Sequence, residues 1–428
     1  VAAPSRSDVL FHLGGRALLR YGTAWRRRYQ KEDAPTIGRA SGGTAVGRDG
    51  LVHSFAHREP RIEWVDLDGD GIRETPGLLL EEARTNVCLR SEELDNAAWT
   101  ADNTTVTANA TTAADGLVTM DKLVETAVAS LHQRFQAFTI TDSEYVSISC
   151  FMKAAERTKL RFIFVDGATG NFFGAQPDLV AGTVGGTVSG TGTLSGATIE
   201  PLANSIFRVR SSGRLATGVT AARVYCGLRD AGGVTNYTGD GTSGAHYWGV
   251  QVERHGVGGP RGASSYMRTG GASATRAVDT FSAVARFAPA DMTILYRLYR
   301  PPWGDFSGSL GGTQIQGRIG GPSTPNLEWG SRDAFREFFG RVNSGSIASA
   351  TFPAGNDLRM IAQFRNFATQ PQVAVDVGSG LTSFVNTGTA ITGWAAQLVD
   401  LNPSGIPVVV LEALGVRGLF SRADMLAY

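Results

Sequence analysis

The feature that most constrains this chain is strict two-residue alternation. In "EYVSISCFM", Val146, Ile148, Cys150 and Met152 share one parity, and Ser147 and Ser149 take the other. That period belongs to a half-buried strand, because successive strand side chains point to opposite faces. "RVYCGLRD" repeats it, with Val224, Cys226 and Leu228 inward and Arg223, Tyr225 and Arg229 outward. "HYWGVQVE" puts His246, Trp248, Val250 and Val252 on one parity. "LRFIFVD" is apolar on both and reads as a strand covered on both sides. Between these runs lie "DGATGN", "AGTVGGTVSGTGTLSG" and "YTGDGTSG", glycine-rich turns that suit hairpins. The chain is therefore expected to be mainly β, with β-sandwich or jelly-roll organisation.

Composition supports this and excludes alternatives. Among 428 residues, 54 are glycine, 42% are apolar and 18% charged, which gives real cores and rules out a disordered chain. A net charge of +1 supplies no field for nucleic acid. No apolar run approaches the ~20 residues of a membrane helix, so no membrane insertion is expected. "VAAPSRSDVLFHLGG" lacks the basic region and long apolar core of a signal peptide. Cys88, Cys150 and Cys226 have neither disulfide-framework nor zinc spacing; Cys150 and Cys226 read as small core residues, and a Cys150–Cys226 bond stays an alternative. A reducing folding compartment is expected.

Three segments follow. Residues 1–85 are mixed in character and read as an N-terminal attachment or docking segment, with a short capped helix from Ser7 broken at Gly14-Gly15. Residues 86–270 form the first β-sandwich. A low-apolar stretch over 254–277 reads as a linker or long crossing loop. Residues 278–428 form the second sandwich, from "MTILYRLYR", "LRMIAQF", "QVAVDV" and "IPVVVLEALGV", closing on a short helix with Ser421 as N-cap.

Few motifs carry chemistry. "DLDGDGIRE" sets Asp66, Asp68, Asp70 and Glu74 around a glycine bend, the pattern of hard-oxygen ligands for calcium. It departs from the EF-hand, since Gly77 stands where a bidentate glutamate belongs, and an Asp/Gly turn without metal is the alternative. His53 and His57 in "HSFAH" have no accompanying glutamate and read as surface residues. The pairs Glu81-Glu82 and Glu92-Glu93 cannot span a scissile bond, because neighbouring side chains diverge; "SEELDNAAW" reads as a Ser-capped helical turn. No nucleophile elbow, P-loop or dinucleotide fingerprint occurs, and no catalytic residue or cofactor is expected. Trp99, Tyr237, Tyr247, Trp248, Trp303, Trp329 and Trp394 could stack on sugars; Tyr237, beside a glycine-rich loop, is the exposed candidate for glycan binding.

"GLLLEEARTNVCLRSEELDNAAWT" and "YTGDGTSGAHYWGVQVERHGVGGPRGASSYMRTGGASATRAVDTFS" together resemble a module recurrent in tailed-bacteriophage and prophage structural proteins, over roughly residues 77–282. The C-terminal "LEALGVRGLFSRADMLAY" resembles the end of a concanavalin/laminin-G-like sandwich. Val87-Cys88 stands where that module usually carries a bulky residue after "RTN". The resemblance implies a carbohydrate-binding-like jelly roll with its leucines docked on the sandwich. It implies a virion location assembled in the bacterial host cytoplasm, as tail fibre, minor tail protein or head fibre. Implied partners are other virion proteins through the N-terminal segment and host-surface polysaccharide, without an enzyme's catalytic residues. Exposed-parity Arg297 and Tyr299 suggest a homo-oligomer, with a trimer expected. The alternatives are a polysaccharide depolymerase using Asp305, Glu328 or Glu337, and a purely architectural capsid or tail component.

Overall fold

A computed structural model describes residues 9–14, 36–256, 261–285 and 291–299, and between 313 and 417 the strands named below with a few flanking positions. Among the described residues the chain is all β, with no α-helix and no helix long and apolar enough to cross a membrane.

The first sandwich lies within residues 84–276. One sheet runs Thr193–Pro201, Ile206–Arg214, Tyr145–Ala154, Gly244–Arg254, Val118–Glu125, Thr104–Thr112; the short strands Arg84–Asn86 and Ala274–Arg276 join it at Gly244–Arg254. The opposing sheet runs Thr183–Ser189, Phe172–Asp178, Leu160–Asp166, Ala221–Leu228, Gln133–Thr139, Thr100–Asp102. Between them sit Ile148, Cys150, Phe162, Phe164, Phe173, Val224 and Cys226, all without solvent exposure. Burying one such phenylalanine contributes roughly 3 kcal/mol. All three cysteines are free and buried.

Two alternation readings need correction. Ser147, Ser149 and Phe151 are buried, although their parity was expected to face solvent. A second layer, the segment 261–269, covers that face. Its Ser264 bonds the Glu253 carboxylate, and Arg208 reaches Ser149 Oγ at 3.1 Å and the Ser264 carbonyl at 2.7 Å. In "HYWGVQVE" the parity is broken by Gly249, whose φ of 65° is in the left-handed region and marks a bulge opposite Ser149–Phe151. Tyr247, Val250 and Val252 therefore face the sheet-to-sheet core, and Trp248 packs on the other side with Phe151 and Tyr266.

The second sandwich draws on both ends of the chain. Its first sheet runs Val385–Asn386, Gln372–Asp376, Asp357–Arg365, Met292–Tyr299, Val408–Arg417, Thr75–Leu80, Ile62–Val65, and Val9–Gly14 also pairs with Val408–Arg417. The second runs Thr36–Gly38, Thr280–Ala285, Gln397–Leu401, Thr313–Gly320, Asn326–Arg332, Glu337–Val342, Ala348–Thr351. The sheets face each other where Gly340 meets Val373, Val375 and Phe364; a Cβ there would lie 2.8 Å from Val373.

Leu78, Leu79 and Leu80 thus pair with Val410, Val409 and Val408, docking on the C-terminal sandwich. The stretch 9–14, expected as a helix, is a strand because the Glu412–Val416 backbone is there to pair with it. Strand pairing crosses the expected boundary at 85/86, and the jelly roll sits as an insertion within the second sandwich. "SEELDNAAW" forms successive tight turns instead of a helix: Glu93, Asn96 and Trp99 N–H groups donate three residues back. The expected C-terminal helix at Ser421 lies outside the described residues.

Candidate functional site

The stretch Asp66–Glu74 connects two antiparallel strands, Ile62–Val65 and Thr75–Leu80. Asp66 sits at the exit of the first strand, and its carboxylate accepts the Gly69 N–H at 2.7 Å and the Gly71 N–H at 2.8 Å. Gly69 and Gly71 have φ of 81° and 88°, so the loop needs glycine at both bends. Asp70 caps the Ile72 N–H at 2.7 Å. The structure brings all four sequence-derived candidates together: one carboxylate oxygen from each of Asp66, Asp68, Asp70 and Glu74 lies within 4.8 Å of the others. Ligands 2.3–2.6 Å from a calcium ion span about this distance across it, so the donor set has the reach and hardness that calcium requires. Gly77 is already inside the following strand, paired with Glu63, and cannot serve as a twelfth-position ligand.

Beside this loop runs the seam between the sandwiches. Arg73 donates to the Trp64 carbonyl at 2.7 Å and pairs with Glu200 of the jelly roll at 2.5 Å. Arg210 holds the other Glu200 oxygen at 2.7 Å. Burial works against the Glu200 charge, but Arg210 and Arg73 outweigh it and hold this carboxyl down at about 2. Glu63, on the strand before the loop, is also buried and accepts the Val46 N–H at 2.7 Å. Burial, then the neighbouring Glu200, push its carboxyl up to about 7.

The two crossings between sandwiches are bonded to each other. The Glu81 N–H donates to the Asp279 carboxylate at 3.0 Å, and the Asp279 N–H donates to the Glu81 carbonyl at 2.8 Å. Arg61 pairs with both carboxylates, Arg39 with Asp279 at 2.9 Å, and Arg276 with Glu81 at 3.2 Å. Against the cost of burial, Arg276 and Arg61 hold the Glu81 carboxyl at about 2. Asn86 completes the joint. Its Nδ2 donates to the Met267 carbonyl at 2.9 Å, and its Oδ1 accepts the Cys88 and Val252 N–H groups at 3.0 Å each. Within the low-apolar stretch over 254–277, residues 262–269 are accordingly a largely buried crossing loop, which runs through the exposed residues 270–273 into the strand Ala274–Arg276. Sequence reasoning passed over Arg61, Glu63 and Asp279, because single charged residues in polar stretches carry no periodic signal.

Tyr237 is committed to internal contacts. Its hydroxyl donates to Glu125 at 2.6 Å, Arg157 lies 5.1 Å over its ring, and the His132 ring is 4.7 Å away. Burial and the Glu125 charge both raise its phenol. Trp99, Tyr247 and Trp248 are buried, and Trp303, Trp394 and the Trp329 side chain lie outside the described residues. His53 is exposed and bonds Asp49 at 2.9 Å. Asp305 lies outside the described residues, as do the side chains of Glu328 and Glu337.

No family model matches the chain, and no curated protein matches it. Among solved structures, the mouse laminin alpha1 chain, domains LG4-5, aligns at 11% identity over 67% of this chain and 79% of that one. The TM-score is 0.16, too loose a superposition to bear on ligand or partner.

Proposed function

We propose that this chain is a structural protein of a tailed-bacteriophage particle, displayed at its surface and contacting host glycans without cleaving them. The observation that carries this reading is the meeting of the two stretches that resemble the phage module. Far apart in sequence, they converge as the strand pair Arg84–Asn86 and Ala274–Arg276, and as the bonded crossings Glu81 and Asp279. The resemblance therefore falls on one built unit with both ends anchored on a second sandwich. A jelly roll held at both ends is suited to projecting loops rigidly from a particle. The reading includes a homo-oligomer, with a trimer as the working stoichiometry, since weak sugar contacts gain strength through copies. It also includes a calcium ion on Asp66, Asp68, Asp70 and Glu74, which would stiffen the loop beside the Arg73–Glu200 contact. Competition tests the host contact: purified chain added to host cells should slow adsorption of the particles. Unchanged adsorption at saturating protein removes the glycan-contact part of the reading.

A further inference from the structure

The jelly-roll sheet that runs from Thr183–Ser189 to Thr100–Asp102 carries, on its outer face, two arginines with no acidic partner. Phe162, Phe164, Val224 and Cys226 point into the core, so strand alternation turns Arg161, Ile163, Val165, Arg223 and Tyr225 outward. Ile163, Val165 and Tyr225 are nonetheless buried, because Phe135 and Phe172 pack against them. The arginines in turn lie on those rings. The Arg223 guanidinium stands 4.8 Å over Phe135, and that of Arg161 stands 4.9 Å over Phe172. Among the described residues, no strand of the second sandwich packs on this face.

Stacking engages the flat side of a guanidinium and leaves its edge N–H groups to donate elsewhere. Arg161 gives one to Gln133 Oε1 at 3.4 Å, and Arg223 gives one to the Tyr225 hydroxyl at 3.3 Å. Their other nitrogens have neither a hydrogen-bond partner nor full burial, so both side chains keep donors within reach of a ligand. Burial lowers Arg161 from its ordinary value, against Tyr225 and with Arg229, and no carboxylate is among the groups acting on it. An arginine stays charged through such a shift. The counter-charge is therefore left for a ligand to bring. Arg161 pairs with Gly227, four residues along the strand from Arg223, so the two positions stand about 13 Å apart. A chain of sugars spans that distance, and a single sugar does not. With Phe135 and Phe172 packed on the sheet and stacked by arginine, neither ring is a platform for a neutral sugar. Thr139 and Ser189, both exposed at outward positions, add hydroxyls at the margins of the face.

We propose that this face binds an acidic polysaccharide chain, with carboxylates of separate uronate units meeting Arg161 and Arg223. The assignment rests on the glycan-contact reading above and gives it a location and a charge class. Calorimetric titration of the full chain tests it with an oligogalacturonate and with its methyl ester, the same sugar chain without the charge. The acid form should bind about tenfold more tightly, the scale of one charge-assisted contact, and should weaken as salt is raised. Ala137→Glu sets a carboxylate at the exposed position paired with Arg223, and should weaken binding several-fold at an unchanged thermal midpoint. Should that variant fail to fold, Arg161→Gln with Arg223→Gln should abolish binding, and Arg161→Lys with Arg223→Lys should restore part of it. Equal affinity for acid and ester, or binding indifferent to these variants, overturns the assignment. Equal binding of poly-L-glutamate overturns the sugar class. Self-association that Ala137→Glu disperses makes the face a contact between copies and overturns it too. If neither sugar probe binds while the protein still competes for host cells, this face is wrong and host contact lies elsewhere. Failure of both measurements removes both readings.

Discussion

Arg61 and Glu81 form a 2.6 Å ion pair in which neither side chain has any solvent exposure. Asp279, from the opposite crossing, holds the same guanidinium, so one arginine ties together the entry to the jelly roll and the exit from it. A buried pair of this kind is costly to break, because the survivor keeps its desolvation penalty and loses its partner. Glu81→Ala should lower the unfolding free energy by about 3–5 kcal/mol in urea titration. Arg61→Met combined with Glu81→Leu should cost less than the sum of the single changes, since neither member of the pair then outlasts the other, while Asp279 keeps Arg39 and Arg276 keeps the Glu82 carbonyl.

Glu63 gives the seam a pH dependence of its own. Its carboxyl is raised by burial and by Glu200 to about 7, above the 4.5 of an unperturbed glutamate, with Arg73 opposing and Glu81 adding to the rise. The folded chain keeps a proton there that the unfolded chain releases. The stabilisation is thus full below about 4.5 and is lost as pH rises to about 7. Glu63→Gln should flatten stability over that window and leave the variant roughly 3 kcal/mol more stable than the parent at about pH 8. Glu81 and Glu200, held at about 2, act oppositely: their stabilisation is present above about 4.5 and lost as pH falls toward 2.

Calcium should raise the thermal midpoint, and a chelator should reverse the rise. At a hundredfold excess over its dissociation constant a bound ion adds about 2.7 kcal/mol. Asp68→Asn with Asp70→Asn should remove the calcium response while leaving stability in chelator nearly unchanged, since both residues are exposed. A calcium titration by calorimetry reads this directly, and an unresponsive parent chain would return the loop to a plain Asp/Gly turn.

Tyr237→Phe separates structure from recognition. Losing the hydroxyl bond to the Glu125 carboxylate should destabilise the jelly roll by about 1.5–3 kcal/mol. Glycan contact should persist, because the ring is already engaged by Arg157 and His132.

The strands of the jelly roll were legible because alternation is a local signal: Val224, Cys226 and Leu228 do face the core. The Gly249 bulge was not, since one residue of positive φ reverses parity without altering composition. Nor was the insertion, because the pairing of Leu78 with Val410 joins chain ends whose local sequences hold no trace of each other. The clustering of Asp66, Asp68, Asp70 and Glu74 was legible, because all four lie within one short loop. The bonded crossings were not, since Arg61, Glu81 and Asp279 become a unit only once both sandwiches are folded.

The most direct test of the central claim is electron microscopy of intact particles labelled with an antibody raised against this chain. Gold at a fixed, repeated position on the particle surface is the expected result. Particles of full infectivity that carry neither label nor, by mass spectrometry, any peptide of this chain would contradict it.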